Sequence, residues 1–117
     1  MVAAASAAVL LGSLLGAPVA VAQEGAKTAA EKGKEIAFNR KTGNCLACHQ
    51  IAGGSLPGNI GPPLVAMSAR YPDKKKLRDQ IWDATKANPN SSMPPFGKHS
   101  ILSDEDINLV AEFIYTL

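Results

Sequence analysis

The chain has 117 residues, with 12 Lys+Arg against 10 Asp+Glu and a formal net charge of +2, a length that suits one domain and excludes two independently folding enzyme domains. So slight and mixed a charge excludes a nucleic-acid binder with a dedicated basic face, and 46% hydrophobic with 19% charged residues excludes an intrinsically disordered chain. Two cysteines exclude a disulfide-dense scaffold, so what those two side chains hold becomes the central question.

The first 22 residues carry no charge; an apolar run from Val9 to Leu15 is followed by Pro18 and then by Ala20-Val21-Ala22 ahead of Gln23. An apolar segment closed by small residues at this spacing predicts a secretory signal peptide cleaved after Ala22. One part of the pattern is missing, since no Lys or Arg precedes the apolar run. A retained anchor is the alternative, although alanines, glycines and a proline make a weak span. Either way the folded part, residues 23–117, is expected across a membrane, in the periplasm, and free of the membrane once the leader is removed. That leaves about 95 residues, a size whose modest core often needs a cross-link, metal or cofactor.

From Thr28 to about Arg40, Ala29, Gly33, Ile36 and Ala37 recur at helical spacing and predict a short helix with one closely approached face, ended by Thr42-Gly43-Asn44. Gly53-Gly54-Ser55-Leu56-Pro57-Gly58-Asn59-Ile60-Gly61-Pro62-Pro63 reads as a loop. A second helix is expected from Asp73 to about Lys86, opened by Pro72 and Asp73 and carrying Leu77, Ile81, Ala84 and Thr85. Asn88-Pro89-Asn90 and Met93-Pro94-Pro95-Phe96-Gly97 make another loop. The final helix has Ser103 as N-cap, three acidic residues in its first turn, and Ile107, Val110, Ala111 and Ile114 on one face. The fold class is therefore all-α, three to four short helices joined by long Gly/Pro-rich loops. Loops of that length in so small a domain need something to wrap.

Cys45-Leu46-Ala47-Cys48-His49 is the C-x-x-C-H pattern of c-type haem attachment. Two thiols three residues apart project from one turn, so that each adds across a haem vinyl group, and the next residue supplies an imidazole to the iron. A thioredoxin-like pair would need a βαβ pattern, and a zinc site further ligands beyond His99. For the sixth iron position the candidates are Met93, Met67 and His99, and the rigid prolines after Met93 favour it. A His49/Met93 pair implies electron transfer rather than oxygen chemistry. Pro62, on a stiff loop, is the candidate to accept the other ring N–H of His49, a plain rigid turn being the alternative. Trp82 is either a propionate donor or core packing, the second being the simpler reading.

The plan resembles a class I cytochrome c, in which terminal helices cross at a small residue and enclose one covalent haem c. Gly33 stands at that contact, although Ala37 occupies the position where an aromatic is usual, with Phe38 beside it. Within that class, Gly43 to His49, Pro57 to Leu64, Gln80 to Thr85, Met93 to His99 and Phe113 to Leu117 closely resemble the SoxX subunits of SoxAX cytochromes. The resemblance implies a cytochrome c-like fold and a haem c held by Cys45 and Cys48. It also implies a heterodimer with a SoxA-type cytochrome, a SoxYZ carrier as substrate protein and a cytochrome as electron acceptor. The chain would be the electron-relay subunit of an L-cysteine S-thiosulfotransferase and not catalytic on its own. The alternative is a freestanding monohaem carrier, for which Lys74, Lys75, Lys76 and Arg78 would form a docking patch, if that run is more than a solvated face.

Overall fold

The computed structural model describes residues 25–117; the expected leader lies outside them. Four helices follow in order: α1 (Ala29–Phe38), α2 (Met67–Arg70), α3 (Lys74–Trp82) and α4 (Asp104–Ile114), with single 3-10 turns at Cys45–Ala47 and Ala84–Lys86. No strand occurs among the described residues, and the all-α reading stands.

Helix α1 begins at a reciprocal cap. The Thr28 hydroxyl accepts the Glu31 N–H, and Glu31 accepts the Thr28 N–H at 2.7 Å, which satisfies two donors the helix itself leaves orphaned. Ser103 caps α4 in the expected way, accepting the Asp106 N–H at 3.0 Å, and three acidic residues sit at the positive end of the dipole. Its apolar face, Ile107, Val110, Ala111, Phe113 and Ile114, is buried.

The crossing of α1 on α4 depends on Gly33. A Cβ at this position would lie 1.9 Å from the Leu109 carbonyl oxygen, so the two backbones approach to a distance only glycine allows. Where the sequence lacks the usual aromatic, Ala37 is fully buried and Phe38 meets Phe113 edge-on, ring centroids 5.7 Å apart. The aromatic contact is kept by the neighbouring residue.

The second helix ends sooner than its periodicity predicts. At Asp83 the backbone is extended, with φ −156° and ψ 91°, and the Asp83 carboxylate caps the next turn by accepting the Thr85 N–H at 3.1 Å. The helix stops at Trp82 and Ala84–Lys86 forms a separate 3-10 turn. Helix α2 has no counterpart among the expected elements, being one turn long and entered through Ala66 in the left-handed region at φ 52°.

The cationic run of α3 is largely neutralised within the fold. Lys74 reaches Glu112 at 2.7 Å, Lys75 reaches Asp79 at 2.7 Å, and Arg78 spans to Asp104 and Asn108, both at 2.8 Å. The Lys74 and Arg78 contacts tie α3 to α4, and among the described residues Lys76 is the member of the run without an ion pair.

Candidate functional site

The end of α1 holds the cysteine turn in place. Gly43 N–H and the Thr42 hydroxyl both donate to the Ile36 carbonyl, at 3.0 and 2.9 Å, and Asn44, in the left-handed region at φ 49°, swings the chain into Cys45–Ala47. His49 N–H donates to the Cys45 carbonyl at 2.9 Å, closing the turn that sets both thiols and the imidazole on one side. Loop 50–66 then folds back over it: Gly58 N–H donates to Leu46 at 2.7 Å and Gly61 N–H to Cys48 at 2.8 Å.

This arrangement opens onto a cavity of about 600 Å³, bordered by Cys45, Cys48, His49, Pro62 and Met93, within the range of cofactor sites at roughly 300–1,000 Å³. Its wall is completed by apolar side chains from α3, α4 and the loops, among them Leu64, Leu77, Ile81, Phe96 and Ile114. All five site residues singled out from the sequence thus converge on one space, although Met93 comes from the far loop. Met67 also borders it, but it is almost wholly buried and its sulfur receives Arg70 Nη1 at 3.2 Å. His99 is exposed and does not border the cavity, and neither does Trp82.

The imidazole of His49 is pinned. Its Nδ1 lies 2.7 Å from the Pro62 carbonyl oxygen, and a carbonyl can only accept, so Nδ1 carries the proton and Nε2 keeps its lone pair. A Cβ on Gly61 would come within 2.4 Å of the ring, so the ring lies flat against bare backbone. The cysteines are unbridged, and burial pushes the Cys45 thiol up to about 11, which keeps it neutral. Two unpaired, half-buried thiols, an oriented imidazole and a thioether around one apolar cavity fit a covalent haem.

Several groups at the site carried no recognisable signal. Arg70 Nη1 donates to the Pro63 carbonyl at 3.0 Å, bracing the loop that holds Pro62, and Arg40 borders the cavity. A lone arginine has no motif around it; only the fold brings either one to the site.

Comparison with known proteins agrees with this geometry. Residues 28–114 match the family model described as cytochrome c oxidase, cbb3-type, subunit III. The chain belongs to that family. A crystal structure of SoxXA from P. pantotrophus superposes with a TM-score of 0.68 at 29% identity, covering 79% of this chain and 83% of that one. An uncharacterized lipoprotein of Aquifex aeolicus (strain VF5) is 33% identical over 76 residues, 64% of this chain. The chain spans only 37% of that relative's length. This is therefore a SoxX-like cytochrome with a cytochrome c fold, and it carries haem c covalently, with Cys45 and Cys48 at the attachment spacing.

Proposed function

We propose that the chain is the electron-relay subunit of a SoxAX-type complex, in which His49 and Met93 would hold the haem iron and Pro62 would orient His49. The observation that carries this reading is the meeting of His49 and Met93, from two distant loops, at one apolar cavity that also takes in both attachment cysteines. When bound, the haem supplies reversible one-electron exchange. Cys45 and Cys48 fasten it, and the apolar side chains around it exclude water. The Pro62 carbonyl, by accepting the Nδ1 proton, keeps Nε2 directed at the metal and makes the imidazole a stronger donor. With both cysteines committed to attachment, the described residues bring no thiol nucleophile to the site.

In this reading residues 1–22 are a signal peptide, residues 23–117 work in the periplasm, and the partner is a SoxA-type cytochrome in a heterodimer. The complex joins thiosulfate to a cysteine of a SoxYZ-type carrier. One S–S bond forms, the thiol proton leaves, and two electrons are released for this chain to pass, one at a time, to a cytochrome acceptor. For the freestanding-carrier alternative the docking patch would be weakened, because Lys74, Lys75 and Arg78 pair with Glu112, Asp79 and Asp104. Among the described residues no helix is long and apolar enough to cross a membrane.

The test is reconstitution. The purified holoprotein is mixed with a SoxA-type subunit and a SoxYZ-type carrier, and haem reduction is followed on adding thiosulfate. Co-elution with SoxA and reduction that needs all three proteins is the expected result. A protein that elutes alone and is not reduced would return the assignment to a freestanding carrier.

A further inference from the structure

Asp83 is the only buried charged side chain among the described residues, and a carboxylate taken out of water needs partners for both oxygens. Its Oδ1 accepts the Thr85 backbone N–H at 3.1 Å and the Thr85 hydroxyl, which accounts for one. Its Oδ2 faces Lys98 Nζ at 3.6 Å, and Lys98 lies on the loop that carries Met93. Two backbone bonds tie the same loop to the same place: the Trp82 carbonyl accepts Gly97 N–H at 3.0 Å and Lys98 N–H at 3.3 Å. The indole of Trp82 lies so close over Gly97 that a Cβ there would sit 1.9 Å from Cδ1. None of Asp83, Thr85, Lys98, Trp82 and Gly97 borders the cavity, so their role is exerted on the loop.

We infer that Asp83 and Lys98 form a latch that holds the Met93 loop against the end of α3, making both positioning residues for the Met93 thioether. This rests on Met93 being the sixth ligand. The loop cannot swing out without parting Lys98 from Asp83 and releasing the Trp82 carbonyl. An outside ligand reaches the iron only when the loop is open, so its apparent affinity scales with the open fraction. Lys98 is half-exposed while Asp83 is buried, which places the pair near the upper end of what solvent-facing ion pairs contribute, a factor of roughly three to five in the open fraction.

The test uses the ferric holoprotein titrated with imidazole at neutral pH, read by loss of the thioether-to-iron charge-transfer band, with urea unfolding in parallel. Lys98→Gln changes a solvent-facing residue and keeps the fold; it should raise imidazole affinity roughly three- to fivefold. Lys98→Arg should restore the wild-type value. Asp83→Asn should act like Lys98→Gln, and the double variant should add little, as for two residues sharing one contact. Wild-type imidazole affinity in Lys98→Gln, with or without a shift in the urea midpoint, overturns the latch. Absence of the thioether band from the wild-type protein is a different failure, which removes the Met93 assignment and the latch with it.

Discussion

At the scale of single residues the site is built by fixing groups that would otherwise rotate. His49 has one proton to donate and one carbonyl, that of Pro62, within 2.7 Å to take it, so its tautomer is set by a neighbour that cannot act as donor. Met93 is held differently, partly buried against the core with its N–H on the Ser91 hydroxyl at 3.2 Å. Replacing Met93 by Ala is expected to abolish the thioether-to-iron band and open the iron to small ligands. Replacing it by His should keep a six-coordinate spectrum and lower the reduction potential by on the order of 0.1–0.2 V, a modest part of the range that axial ligands command. Potentiometric titration of the two variants beside the wild type checks both, and an unchanged band in Met93→Ala would move attention to Met67. The five residues proposed for this site, which border one cavity, could be singled out because their chemistry is tied to sequence spacing or to a rigid loop. Arg70 and Asp83 were not, since each acts through a contact that exists only after folding: Arg70 with the Pro63 carbonyl, Asp83 with Lys98.

At the scale of elements, helix starts were read better than helix ends. Ser103 announces α4, and Asp73 announces α3. The break after Trp82 was invisible because Leu77, Ile81 and Ala84 are all buried, so the apolar pattern runs on through a change of backbone that Asp83 imposes. That carboxylate gives the break a pH dependence. The Thr85 hydroxyl bonded to Asp83 holds its carboxyl below the usual carboxylate range, helped by the Thr85 N–H and by Lys98. A folded-state value below the unfolded one, about 3.9, gives stability that is complete above that pH and is lost as pH falls through the folded-state value. Asp83→Asn should therefore unfold at lower urea than wild type at pH 6, and the two should draw together as the pH falls through and below the ordinary carboxylate range. A gap independent of pH would deny the carboxylate this role. The α1–α4 crossing is governed by a backbone contact with no such pH term. Gly33→Ala presses a methyl group onto the Leu109 carbonyl, which cannot retreat without moving a helix, and should cost about 2–3 kcal/mol. Urea unfolding of the holoprotein measures this, and a cost under about 0.5 kcal/mol, the range of an indifferent surface change, would mean that the helices cross elsewhere.

At the scale of the whole molecule, the two long loops make sense only together with the cofactor they surround. Loop 50–66 is fastened to the cysteine turn at Leu46 and Cys48, and the Met93 loop to the Trp82 carbonyl, but their inner sides, with the apolar faces of α3 and α4, border the same cavity of about 600 Å³. A void of that size, at about 24 cal/mol per Å³, would cost at most on the order of 14 kcal/mol, an upper bound because part of the cavity opens to solvent. The net stability of a whole domain is about 5–15 kcal/mol, so even half of that cost removes most of what holds so short a chain together. The haem would thus complete a core that Ile107, Val110 and their buried neighbours begin, and attachment and folding should be one event. Residues 23–117 produced without haem attachment are expected to lack a cooperative urea transition and to exchange the amides of α3 within minutes, while the holoprotein shows one sharp transition and slow exchange. Helix α1 and the last turns of α4, joined through Gly33 and the Phe38–Phe113 contact away from the cavity, are where residual helix should persist. A haem-free chain that unfolds as cooperatively as the holoprotein would show instead that the helices pack without the cofactor, and that the loops are shaped by their own prolines.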